Sequence, residues 1–308
     1  MSTKGKEIDK LISQQYKNKR YSELNALSKL FSSNFLSKLP AILEKGKTRH
    51  DSLRYSFEIN HGWIDKIPLA EFVKPTYDHF RNQIGKEKRV ELGDMLVIYN
   101  YYNKCYDQNE KRLVKRLHCS RALLIQAKIS KKRNPNVPIS YLSPTNPNNS
   151  TNKELALMSN WPEFILYKAP RSKQPLLKSL DINSDYTKAL FAGFYSKTWD
   201  TGIPVHDAPC NRTLGVIFEE LVNRNIGEEC SLTNPNSDWD KLICEILNIT
   251  KALNAPKSME RTGKRFIGSN IPLLFFFFFD FLRPKPKFHV IEINEIMEEG
   301  THLKDDIN

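Results

Sequence analysis

Apolar residues recur at helical spacing near the start of the chain. Further on they give way to short runs of a different period. Ile8, Leu11 and Ile12 share one helical face, and Leu24, Leu27, Leu30, Phe31, Phe35 and Leu36 continue the rhythm. Ser22 before Glu23 is a start signal for the second of these helices. The stretch Glu71–Ile84, after Pro68, predicts a further helix. Met95–Tyr102 is β-branched and aromatic and predicts a strand, as does Arg121–Ile129. The polar, basic residues 103–117 read as an unusually long hairpin connection. Residues 131–153, with Pro135, Pro138, Pro144 and Pro147, read as a loop or linker. Beyond it the pattern predicts a strand at Trp161–Tyr167, helices at Thr213–Asn225 and Trp239–Leu253, and closing strands at Leu273–Phe281 and His289–Ile293. The expected fold class is α/β, a mixed sheet flanked by helices. Three segments follow: an N-terminal helical segment (1–50), a core with the long basic connection (51–150), and a C-terminal α/β region (151–308) that completes the sheet or forms a second lobe.

Composition adds a partner class. Across 308 residues there are 47 basic and 35 acidic side chains, a net charge of +12, with 40% hydrophobic residues, enough for a core. Such a field favours polyanions. The charge is uneven: residues 1–50 carry +7, residues 104–133 carry +8, and the tail 291–308 carries −5. The tail reads as disordered or as a screen for the basic face, and His289 and Glu292 beside it as surface residues. Five cysteines without CxxC spacing argue against a zinc site or a disulfide framework. That usage, with no leader or membrane segment read, gives a cytoplasmic expectation. The longest apolar run, Ile271–Leu282, is too short to span a bilayer and holds Pro272 and Asp280.

Chemistry concentrates at the two central strands. Asp94 opens the first, with Glu91 just upstream, and Gln126 and Lys128 close the second. Residues two apart on a strand project to one face, so Gln126 and Lys128 point together while Ile125 and Ala127 face the other layer. Carboxylates, an amide oxygen and an ammonium are suited to holding a hard divalent cation beside a phosphodiester. An Asp, a strand hairpin and then Q-x-K resembles the PD-(D/E)xK nuclease superfamily in its QxK variant, found among restriction and anti-phage defence nucleases. The likeness covers roughly residues 85–130. It implies a restriction-endonuclease-like sheet and Mg²⁺-dependent (or Mn²⁺-dependent) endonucleolytic hydrolysis of DNA, with RNA a lesser candidate. By the same likeness Asp94, Glu91 and Gln126 are metal ligands, and Asp94, Gln126, Lys128 and Glu91 form the catalytic set. Two positions depart from the pattern: Gly93 replaces the usual Pro, and Gln126 carries no charge.

The basic connection supplies candidate nucleic-acid contacts at Lys111, Arg112, Lys115, Arg116 and Arg121. Partners expected with this reading are DNA, other subunits of a defence assembly, and a second copy of the chain. A membrane is not among them. The alternative is a non-catalytic subunit of such an assembly that binds nucleic acid or a partner on a nuclease-like core. A purely structural subunit is the third class. Elsewhere, His206-Asp207 and Cys210 lie in a Pro-flanked loop and invite a catalytic or metal reading, but a Cys nucleophile needs a neighbouring base, and sequence does not place one. Trp161, Tyr195 and Trp199 fit core packing better than base stacking. Asp238 reads as a helix N-cap.

Overall fold

The computed structural model describes residues 3–47, 53–107, 111–183, 186–250 and 287–299. Three helices come first: α1 (Thr3–Ser13), α2 (Glu23–Leu30) and α3 (Ser33–Glu44). They bury the stripe read from the sequence, with Ile8, Leu11, Ile12, Leu27, Leu30, Phe31 and Phe35 inside. The Ser32 hydroxyl accepts from Phe35 N–H and caps α3.

The strands are β1 (Leu53–Ile64), β2 (Leu69–Phe72), β3 (Thr76–Tyr77), β4 (Gln83–Ile84), β5 (Arg89–Glu91), β6 (Met95–Asp107), β7 (Arg112–Ile129), β8 (Phe164–Tyr167), β9 (Leu177–Leu180), β10 (Ala189–Tyr195), β11 (Thr198–Gly202), β12 (Arg212–Thr213), β13 (Glu228–Cys230) and β14 (Phe288–Glu299). Three more helices complete the set: α4 (Ser150–Asn160), α5 (Leu214–Val222) and α6 (Asp238–Ile249). The main sheet runs β1-β14-β6-β7-β10-β11-β12, with β13 also on β7. It is mixed: β14 lies parallel to β6 and β10 parallel to β7, and the other neighbours are antiparallel. The C-terminal region thus supplies strands on both sides of the β6–β7 hairpin.

Both faces of that hairpin are covered, which is why Met95–Asn100 is continuously buried. Met95, Val97, Tyr99, Leu123, Ile125 and Ala127 pack with α1, α2, α3 and α5. Leu96, Ile98, Ala122 and Leu124 pack on the opposite face, with α4, α6 and a second sheet of order β5-β2-β8-β9. No helix among the described residues is long and apolar enough to cross a membrane.

Several expectations need correction. Residues 71–84 are the end of β2 and the β3–β4 hairpin, not a helix. Pro75 lies between the strands, and Arg81 in the turn has a left-handed φ of 63°. Most of 103–117 is strand rather than connection, since β6 reaches Asp107 and β7 starts at Arg112. Trp161 does not open a strand. It is the left-handed C-cap of α4, and the strand starts at Phe164. The N-cap of α6 is Ser237, whose hydroxyl accepts from Asp240 N–H in a capping box, with Asp238 one position inside. Residues 291–299 are not a tail but part of β14, an interior strand. The predicted strand at 273–281 lies outside the described residues.

Candidate active site

The β6–β7 register pairs Met95 with Ile125, and Asp94 N–H donates to Ile125 O at 2.9 Å. Continuing that register by one sets Asp94 opposite Gln126. Asp94, Gln126 and Lys128 then lie on the α4 side of the sheet, while Ile125 and Ala127 pack on the other, as the alternation predicts. The contacts are close: Gln126 Nε2 donates to Asp94 Oδ2 at 2.6 Å, and Ala127 N–H donates to the same oxygen at 2.7 Å. Gly93 has a φ of +149°, which proline cannot adopt, so this backbone path itself excludes the superfamily's usual Pro.

Two acids unread in the sequence complete the cluster. Glu154, at 1% exposure inside α4, ion-pairs with Lys128, its Oε2 lying 3.1 Å from Nζ. Glu23, first residue of α2, approaches closely enough to interact electrostatically with Lys128, Glu154 and Glu91. The signal for Glu154 was an acid heading an apolar helical run, Leu155–Met158. In the sequence Glu23 carries only a helix-start signal.

Four carboxylates therefore act electrostatically on one buried ammonium, Glu154 through a direct ion pair. Burial pushes the Asp94 carboxyl well above the usual carboxylate range, Glu23 adds to it, and Lys128 opposes. Burial likewise raises Glu23 and Glu91, with Glu154 raising Glu91 further. Burial alone would lower Lys128, but Glu154, Asp94 and Glu23 outweigh it and hold the ammonium protonated. Lys153, whose Nζ donates to Arg89 O at 2.9 Å, and Lys287 act electrostatically on Glu91, and Lys88 acts on Lys153.

The divalent ion implied by the resemblance fits this donor set. Gln126 Oε1 is buried without a hydrogen-bond partner, and the excess of carboxylates over cations is what a bound cation relieves. Among the described residues no three His, Cys, Asp or Glu side chains already converge as a ligand group.

The five basic candidates are placed elsewhere. Lys111 and Arg112 lie at the tip of the β6–β7 hairpin, about 40 Å from Asp94 at the rise of a strand. Lys115 pairs with Glu58 at 3.0 Å, Arg116 with Asp107 at 2.6 Å, and Arg121 with Glu229 at 2.8 Å. A basic segment between two motif strands in sequence is thus distal in space.

His289 is fully buried, contrary to the surface expectation, and Glu292 is half-buried. His289 Nδ1 lies 3.1 Å from His61 Nε2, and both rings pack on Phe31. Cys210 is buried, its thiol pushed up to about 12 by burial, which removes it as a nucleophile. Trp161 and Trp199 are core residues, as expected, whereas Tyr195 is exposed and not part of the core. Each of the five cysteines is a free thiol.

A scan against family models, a search of curated proteins and a search of solved structures each return no match for the chain.

Proposed function

We propose that the chain is a metal-dependent nuclease hydrolysing phosphodiester bonds in DNA, with the restriction-endonuclease-like type as the finer description of its fold and defence or restriction as its setting. One observation carries this reading: Asp94, Gln126 and Lys128, adjacent on one face of a hairpin, sit inside a four-carboxylate cluster with Glu23, Glu91 and Glu154.

Asp94, Glu91 and the Gln126 oxygen would hold Mg²⁺ or Mn²⁺, which when bound acidifies water and offsets charge on the phosphoryl group. Lys128 keeps its proton at Nζ under the influence of Glu154. From that position it holds a fixed positive charge against the oxygens that gain charge in the transition state. Glu154 fixes the direction of that ammonium. Lys88, Lys153 and Lys287 suit the flanking phosphates of a strand entering the site.

A second reading, a non-catalytic binding subunit, has its own support. Both donors to Asp94 Oδ2 come from the chain itself, and Lys128 is already paired. Cleavage of supercoiled plasmid, single-stranded DNA and RNA decides between them, run with Mg²⁺, Mn²⁺ or EDTA beside Asp94→Ala and Lys128→Ala. Metal-dependent cleavage lost in both variants is the expected result. Salt-sensitive binding without cleavage in any condition favours the second reading.

A further inference from the structure

The loop at His206, which the cluster above leaves unused, closes a second site on the outer side of α4. A cavity of about 360 Å³ is bounded by the β3–β4 turn, by α4 and by residues 204–206. Its walls include Tyr77, His79, Ser159, Tyr186 and His206. His79 and His206 stack nearly parallel, with ring centroids 3.6 Å apart and planes 6° from one another. Tyr77 and Tyr186 are 58% and 50% exposed, a large apolar surface to leave in water.

This cavity is built rather than incidental. Asp78 Oδ1 accepts from Asn82 N–H at 2.8 Å and closes the turn that carries His79. Asp78 Oδ2 accepts from Asn152 Nδ2 at 2.8 Å and ties that turn to α4. Ser159 Oγ donates to Pro204 O and ties the third wall to the same helix. His206 Nδ1 lies 3.1 Å from Asp207 Oδ2.

We propose that this cavity receives a nucleobase. Three features select that ligand. The volume lies in the range of small-ligand pockets. The His79–His206 stack offers a planar face for a third ring, and the tyrosines offer further faces, so a flat aromatic group is matched regardless of its sequence identity. The Asn160 amide, also in the lining, offers a donor and an acceptor to a base edge. The same helix, α4, holds Glu154 in the carboxylate cluster and Ser159 at the cavity, about 7–8 Å apart along its axis and about 140° apart around it, so the cavity opens on a different side of α4 from the cluster. The inference rests on the nuclease reading for its substrate. A base that leaves the stack of its neighbours to enter the cavity makes single-stranded or locally opened DNA the favoured form.

The test is 2-aminopurine fluorescence of a single-stranded DNA oligonucleotide, measured on the unaltered full chain in EDTA so that metal-dependent cleavage does not intervene. Stacking in the cavity quenches the probe. Under the same conditions, Tyr77→Ala with Tyr186→Ala is expected to abolish the quenching and weaken binding about tenfold or more, the loss typical of one stacked base. Tyr77→Phe with Tyr186→Phe is expected to retain both. Adenosine monophosphate as competitor identifies the source of the base: competition near the oligonucleotide's own concentration points to a free nucleotide, and competition only by oligonucleotide points to the strand. Absent quenching, or quenching and affinity untouched by the Ala pair, overturns the proposal. Wild-type cleavage in the plasmid assay is scored separately, so failure of the nuclease reading and failure of the base pocket are distinguishable.

Discussion

Gln126 donates its side-chain amide to Asp94 across the β6–β7 hairpin at 2.6 Å, in the place where a cation would neutralise that carboxylate. A glutamate there removes the donor and adds a fifth acid to a cluster already short of positive charge. Gln126→Glu is expected to lower stability by about 3 kcal/mol in EDTA. Thermal melts check it: the variant loses several degrees without metal and recovers much of the loss in millimolar Mg²⁺ or Mn²⁺, while wild type responds less. A variant as stable as wild type in EDTA would mean that Asp94 and Gln126 are not electrostatically engaged.

Lys128 and Glu154 form the buried ion pair of the site, with side chains 14% and 2% exposed. Lys128→Ala strands Glu154 without its partner, at a cost of about 3–5 kcal/mol. Adding Glu154→Gln is expected to restore most of that stability, because no unpaired charge then remains. It is not expected to restore cleavage, which falls at least about 100-fold in both variants. Denaturant titration beside the plasmid assay separates the two roles. Recovery of cleavage in the double variant would remove Lys128 from the chemistry.

The sequence made the hairpin legible because everything needed there is local. The β-branched and aromatic run Met95–Tyr102 announces a strand, and parity along 121–129 assigns Gln126 and Lys128 to one side. Glu23 and Glu154 were not legible, since their place depends on how α2 and α4 pack over strands distant in sequence. His289 was misread for a related reason. The acids around it suggest surface, yet Glu295 is buried with its carboxylate satisfied by Lys47 and the Tyr99 hydroxyl. The basic residues 111–116 were assigned to the site by sequence adjacency, which the length of β6 and β7 defeats.

Burial lowers the His61 pKa from 6.5 to about 4, and lowers His289 in the same direction. A histidine held neutral in the fold binds its proton more readily when unfolded. Its stability contribution is therefore complete above pH 6.5, declines as pH falls toward 4 and levels off below. Asp94, Glu91 and Glu23 have raised pKa values and act oppositely, losing stability as pH rises. His61→Phe leaves those acids in place and keeps a ring against Phe31. The wild-type minus variant stability curve is expected to slope by up to about 3 kcal/mol between pH 6.5 and 4 and to be flat above. A difference curve flat across that range would show that His61 is not held neutral by burial.

Gly93 holds Asp94 in place through a backbone angle other residues rarely adopt. Its φ is +149°, and a Cβ there would lie 3.3 Å from Ile125 O, the carbonyl that receives Asp94 N–H. Gly93→Ala is expected to cost about 1–3 kcal/mol through backbone strain. It should also weaken cleavage beyond what lost folding explains, because the displaced bond is the one that sets Asp94 against Gln126. Gly93→Pro, which writes the superfamily's usual residue into this chain, is expected to cost more, about 3 kcal/mol or above. Gly85→Ala is the control: its nearest atom is Lys88 Cε at 3.9 Å, so stability should change by less than about 1 kcal/mol. Melting temperatures and plasmid nicking for the three variants check the order. Tolerance of Pro at position 93 with activity intact would mean that the strand enters the site by a different path from the one described.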